Sequence, residues 1–397
     1  MRKEYAEIAQ LATENKCNQI FSWSKYKTYL DDTYTYYLRY IAKIPPDRFD
    51  GIYAKSGSDI HECIEAFYKG ELDHQGMLDK YEELLFENTM NGLKYDRSDE
   101  EKNKSVGDKY EDCIRHFLLH HNKIPHKIKL EEFIGSVIGD TYFQGYVDAF
   151  HIEERDGKKK LVITDWKSSS IYKGDKYEHE KGQLLIYIEG MHQKGIPYED
   201  IVARWNFLKY VNVTMTQKAI DKETKQHKTK VRTLERNNYV EKLETSIRMW
   251  MKQLSTLDED TNEYLINECI KNNTLDGLPV DVRNMFMVDD CYVEIEFIED
   301  DIVELKNNII ETINEIKNKT VEYEGLKDID KDQAERVWWQ EVTDGQSFFM
   351  ANLSDYSSKL HKPYAEYLEN REMFLNDENK TDTEDDSDWL KDLGLLD

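Results

Sequence analysis

Gly145-Tyr146-Val147-Asp148-Ala149-Phe150 and Leu161-Val162-Ile163-Thr164-Asp165-Trp166-Lys167-Ser168 decide how this chain is read, because the turn-prone Arg155-Asp156-Gly157-Lys158 lies between them. Two runs rich in apolar and β-branched residues, separated by an Asp-Gly turn, predict neighbouring strands. Each carries an acidic residue near one end, so Asp148 and Asp165 converge at one edge of a sheet. Lys167 stands two residues beyond Asp165, and side chains at that spacing share a face of the strand. Two carboxylates beside an ammonium are equipped to hold a divalent cation against a phosphodiester.

Outward from these strands, Lys127 to Ile138 completes a three-stranded meander with Tyr142 to Glu153 and Leu161 to Lys167, turning at Gly139-Asp140 and Asp156-Gly157. Gly182 to Lys194 returns to helical spacing, and Ile201 to Val211 reads as a further strand. Upstream, Ser22 to Lys43 predicts an aromatic-rich helix that stops before Pro45-Pro46. Ser56-Gly57-Ser58 offers cap chemistry for a second helix, from about Asp59 to Lys69, closed by Gly70 and carrying His61 in its first turn. Helices follow at Asp73 to Asn91 and Lys102 to His121.

The result is an α/β core, a central mixed sheet flanked by helices, with helical elaborations at both ends. Residues 1–125 form the helical region with His61, 126–215 the core, 216–375 a basic segment and a mostly helical part, and 376–397 an acidic tail. That tail has too little apolar surface to order itself. Downstream helices are expected near Asn238 to Leu257, Thr261 to Asn272 and Asp300 to Lys319, with a strand at Tyr292 to Phe297.

A formal charge of −26 and a pI near 4.9 argue against a protein that coats nucleic acid through overall charge. A local basic groove remains compatible with DNA, since remote acids are screened beyond a Debye length of about 8 Å. Cys17, Cys63, Cys113, Cys269 and Cys291 are scattered and form no C-x-x-C pair, a pattern of reduced thiols in a cytoplasmic protein. No apolar run reaches the roughly 20 residues that span a bilayer, so no membrane role is expected.

Magnesium takes a few carboxylate oxygens and completes its shell with water and substrate phosphate. Asp148 and Asp165 supply such oxygens, and the backbone carbonyl of Trp166 adds a third. Without a cation the two carboxylates repel each other, and with one that repulsion is relieved. Lys167 is assigned to orientation and charge compensation, with general-base work only if its surroundings depress its pKa. On the next predicted helix Gln183 and Tyr187 stand four apart, hence on one face, and suit the nucleophilic water or the phosphate backbone.

Together these residues resemble the PD-(D/E)xK nucleases, in particular their RecB-like exonuclease branch. Its G-x-x-x-H is matched by Gly57 to His61, its G-x-x-D by Gly145 to Asp148, its D-x-K by Asp165 to Lys167 and its Q-x-x-x-Y by Gln183 to Tyr187. The resemblance implies a restriction-endonuclease-like core, Mg2+ or Mn2+ as cofactor, DNA as substrate and exonuclease work in phage or bacterial recombination, repair or DNA degradation. It also implies that His61 joins the metal site, with Glu132 as a further acid. Many relatives of that branch carry an iron–sulfur cluster. Here the early helix reads Tyr29-Leu30-Asp31-Asp32-Thr33 and the stretch from Phe348 to Tyr356 lacks cysteine, so none is expected.

The basic stretch from Lys218 to Arg236, including Lys225, Lys228, Lys230, Arg232 and Arg236, is either a DNA-facing ridge or a solvated loop. Trp389-Leu390 and Leu393 to Leu396 could dock a recombination or replication protein. Two other functions fit the composition: a catalytically silent nuclease fold that binds DNA or scaffolds, and an acidic mimic of DNA.

Overall fold

The computed structural model describes residues 2–48, 51–95, 102–352 and 354–377. Up to His120 the described residues are helical apart from one short strand: α1 Tyr5–Glu14, β1 Gln19–Phe21, α2 Trp23–Asp31, α3 Thr33–Tyr36, α4 Ile52–Lys69, α5 His74–Met90 and α6 Lys102–His120. The aromatic segment is not one helix. Asp32 turns extended between α2 and α3, and its carboxylate accepts the Tyr34 amide at 3.0 Å and the Thr35 hydroxyl at 2.6 Å. A distant residue, His361, holds the same carboxylate at 2.6 Å, which fixes the break. Ser56-Gly57-Ser58 is not a helix start either. α4 begins earlier, behind Gly51, and Ser56 is buried within it with its hydroxyl 3.1 Å from that of Tyr81.

The meander follows as β2 Lys129–Ile138, β3 Thr141–Arg155 and β4 Lys158–Lys167, then α7 Gly174–Gln193 and β5 Ile201–Ile220. Asp156 and Gly157 both adopt positive φ, 52° and 74°, the left-handed pair that a two-residue hairpin turn needs. β5 runs past the expected Val211 and turns back as β6 His227–Glu235, so the basic stretch is a β-hairpin and not a loop. The remaining elements are α8 Glu244–Leu254, α9 Glu259–Lys271, α10 Val280–Arg283, β7 Phe286–Glu294, α11 Glu299–Leu326, α12 Lys331–Arg336, α13 Asp344–Asn352 and α14 Lys362–Asp377. The acidic tail with Trp389 and Leu393 to Leu396 lies outside the described residues.

The seven strands among the described residues join one mixed sheet. β3 has antiparallel β2 along one edge, and on the other a parallel β1 at its start and an antiparallel β4 further on. α7 carries the chain from β4 to a parallel β5, which β6 and β7 extend antiparallel. The sheet thus draws strands from both sides of the 126–215 segment. α7 covers one face through Leu184 and Ile188 against Val147, Ile163 and Trp205. α4, α5 and α6 cover the other through Ile60, Tyr81 and Phe117 near Ala149 and Trp166. Fully buried side chains such as Ile163 and Phe207 each stabilise the fold by roughly 1.5–3 kcal/mol. Among the described residues no helix is long and apolar enough to cross a membrane.

Candidate active site

The ladder between β3 and β4 ends with Ala149 opposite Thr164. One step further, the same register sets Asp148 beside Asp165, where the strands part. Trp166 closes the gap, its amide donating to Asp148 Oδ2 at 2.8 Å. From α4, His61 Nε2 lies 3.0 Å from the Trp166 carbonyl and Nδ1 3.7 Å from Asp148 Oδ1. An imidazole, a carboxylate and a backbone carbonyl therefore meet, with Asp165 adjoining.

Lys167 Nζ lies 2.7 Å from Asp165 Oδ2 and donates at 3.4 Å to Gln183 Oε1. The Gln183 amide donates to the Tyr187 hydroxyl at 2.9 Å, and that hydroxyl donates to the Tyr146 carbonyl at 3.0 Å. α7 therefore orients the lysine through a chain anchored on β3. Gly145 makes room for it: a Cβ there would stand 2.8 Å from Cε1 of the Tyr187 ring. The glycine of G-x-x-D is required by contact with the tyrosine of Q-x-x-x-Y.

Burial, with the charge of Asp165 beside it, pushes the Asp148 carboxyl up to about 6, against the pull of His61 and Lys167. For Lys167 burial disfavours the ammonium, but Asp165 foremost and Asp148 as well outweigh it and raise its pKa above the ordinary value. Beside the two aspartates Lys167 is held as a cation, which suits charge compensation. Tyr187 is likewise raised, by burial and by the two aspartates, and keeps its proton.

Glu132 is not at this site: its side chain is 45 % exposed and faces Lys129 at 3.9 Å. Glu131 is the acid that turns in. It adopts φ 48°, the ladder passes from Leu130–Ala149 to Glu132–Val147 around it, and its carboxylate comes within 4.8 Å of ligand atoms of His61 and Asp148. The signal was available in the sequence. Counting back from a two-residue Gly139-Asp140 turn, with Ile138 opposite Thr141, places residue 131 across from Asp148. Arg2 also went unnoticed; its guanidinium holds Glu131 Oε2 at 2.9 Å at the mouth of the site. An open cleft of about 630 Å³ fronts these groups, lined among others by Arg2, His61, Glu131, Lys167 and Ser168.

Of the basic residues, Lys225, Lys228 and Lys230 are exposed on the β5–β6 hairpin. Arg232 is half-buried and donates to the Lys242 carbonyl at 3.0 Å. Arg236 must be withdrawn as a DNA contact, because it is 1 % exposed and paired with Asp290 inside the protein.

Paired aspartates and a lysine at the parting of two strands, oriented by a glutamine and a tyrosine from the crossover helix, match the PD-(D/E)xK pattern on a restriction-endonuclease-like fold. The chain belongs to the PD-(D/E)XK nuclease superfamily, whose profile matches residues 20–269. No curated protein matches the chain.

Proposed function

We propose that this nuclease-family chain is a divalent-metal-dependent deoxyribonuclease of the RecB-like branch that degrades DNA from its ends, in phage or bacterial recombination, repair or DNA breakdown. The observation that carries the reading is the convergence of Asp148, Asp165 and Lys167 behind an open cleft that His61, Trp166 and Lys167 line. The donor set suits Mg2+ or Mn2+: carboxylates and a carbonyl are the oxygen ligands a hard cation takes, and one imidazole is tolerated. Asp165 supports this fit, since its buried Oδ2 has Lys167 Nζ at 2.7 Å and no aligned hydrogen bond among the described residues. Asp148, Asp165, His61 and the Trp166 carbonyl would hold the ion, with Glu131 beside them. A bound dication acidifies its water and neutralises charge on the phosphate.

The protein's own groups do the rest. Lys167, fixed as a cation, offsets charge growing on the phosphate oxygens, and Gln183 and Tyr187 keep its ammonium turned toward Asp165. The exposed lysines of the hairpin, with Arg232, supply phosphate contacts that position DNA without reading its sequence. End dependence rests on the order of motifs shared with RecB-like exonucleases.

The test compares end-labelled linear with closed circular DNA in Mg2+, with Asp165→Ala and Lys167→Ala as controls. Linear DNA alone should be degraded, and either substitution should reduce cleavage at least about a thousandfold with an unchanged circular-dichroism spectrum. Nicking of circles would replace the exonuclease with an endonuclease. Binding without cleavage across Mg2+ and Mn2+ would leave a silent DNA-binding fold.

A further inference from the structure

Beyond Asp148 along β3, His151 and Glu153 follow each other on one face of the strand. His126, from the segment between α6 and β2, brings its ring parallel to that of His151, with centroids 5.2 Å apart. One ligating atom from each of His126, His151 and Glu153 lies within 4.8 Å of the other two. The His151 side chain is fully enclosed and that of Glu153 18 % exposed, while His126 is 38 % exposed, so the cluster is walled in with one open side.

The two oxygens of Glu153 have separate duties. Oε2 stands 3.0 Å from His151 Nε2 and 3.9 Å from His126 Nε2, and Oε1 accepts from Arg155. Arg155 in turn gives its two terminal nitrogens to Glu294 of β7 at 2.9 and 2.7 Å. Arg155 therefore lies between the carboxylates of Glu153 and Glu294, and Oε2 of Glu153 stays turned to the two imidazoles. Arg204 donates from Nε to Thr164 at 3.0 Å and lays its guanidinium over the Tyr292 ring at 3.8 Å, and its charge also acts on Glu153 and His151. His151 Nδ1 is buried with no hydrogen-bond partner among the described residues.

We propose that His126, His151 and Glu153 form a second metal site, selective for a transition dication of the zinc type. Two imidazoles and one carboxylate with an open fourth position are a zinc ligand set, whereas magnesium prefers oxygen throughout. Zinc at about 2.0–2.2 Å from each ligand needs its donors roughly 3.3–3.6 Å apart, and a small turn of the exposed His126 closes the longer gap. Arg155 on the outer oxygen of Glu153 is the supporting hydrogen bond that metal-bound carboxylates carry. The site ties the segment before β2 to β3 and, through Arg155 and Glu294, to β7. It does not depend on the nuclease assignment.

Equilibrium dialysis of the full chain with Zn2+ in excess Mg2+ tests it, with Co2+ absorption reporting ligand geometry. Wild type and Asp165→Ala should each retain one Zn2+ and show a tetrahedral Co2+ spectrum. His126→Ala should weaken binding about tenfold or more and lose the zinc-induced rise in Tm, while still cleaving DNA in Mg2+ as wild type does. Glu153→Gln should weaken binding in the same way. The site is refuted by an absence of bound Zn2+, by zinc binding unchanged in both His126→Ala and Glu153→Gln, or by loss of that zinc in Asp165→Ala.

Discussion

Asp148 sets function against stability within a single side chain. Its pKa, pushed up to about 6, exceeds the ordinary aspartate value of about 3.9. Between those values the folded protein keeps a proton that the unfolded chain has released, so stability of the metal-free protein falls as pH rises through that window. Above it the carboxylate is ionised at a standing cost, which a bound cation relieves. Asp148→Asn is therefore expected to raise stability in EDTA at pH 7 by about 1–3 kcal/mol, with little gain at pH 4, and to abolish cleavage. Thermal melts at the two pH values check the first part. A lower Tm for the variant at pH 7 would contradict the account of why the carboxyl is strained. The same proton competes with the cation, so the Mg2+ needed for half-maximal cleavage should climb as pH drops below about 6. Glu131 and Glu132 make a sharper comparison. Glu131→Ala should raise that Mg2+ requirement about tenfold, and Glu132→Ala should leave it unchanged. Equal effects would mean that the register around residue 131 differs from the one described. Asp148, Asp165, Lys167 and the Gln183–Tyr187 pair were legible because each follows from strand or helix periodicity. Glu131 was not read out because it needs the hairpin register.

Among the elements, the meander could be read locally: Asp156-Gly157 demands a tight turn, and the apolar runs beside it have no helical period. The break between α2 and α3 could not, since Asp32 is held by His361 from the far end of the chain. The β5–β6 hairpin escaped for another reason. Its polar, lysine-rich sequence carries the composition of a loop, yet Val213 opposite Arg232 and Met215 opposite Lys230 pair a buried row of β5 with basic residues at the edge. Thus an arm with exposed Lys225, Lys228 and Lys230 stands on a chain of formal charge −26. Replacing those three lysines with alanine should weaken DNA binding and flatten the slope of log affinity against log salt by about 2–3, from about 0.9 per lost phosphate contact on duplex DNA. Turnover at saturating DNA should stay within about twofold, because none of the three touches the aspartates. A salt slope that does not move would return the arm to a solvated edge.

Across the whole molecule, the far part of the chain is joined to the nuclease core by buried charge. Arg236, at the end of β6, and His121, at the end of α6, both grip Asp290 of β7, His121 through Nδ1 at 2.7 Å. The Tyr68 hydroxyl is hydrogen-bonded with His121 Nε2 at 2.8 Å, and the Tyr68 ring stacks on Trp166, centroids 5.9 Å apart. The network therefore runs from the base of the basic arm to Trp166, whose backbone meets Asp148 and His61. None of it was legible in the sequence, where the partners are separated by 54 and 169 positions and Arg236 looked like one more member of a basic run. Burial works against the charge of Asp290, yet His121 and Arg236 hold its carboxyl below the usual range. Its contribution is hence full above about pH 4 and lost only as acid protonates it in the native state. Asp290→Ala leaves Arg236 buried without its counter-charge and should cost about 3–5 kcal/mol at pH 7, seen as a lower denaturant midpoint for the entire protein in one transition. Two separated transitions, with the core melting as in wild type, would show that the C-terminal elements and the nuclease core are energetically independent.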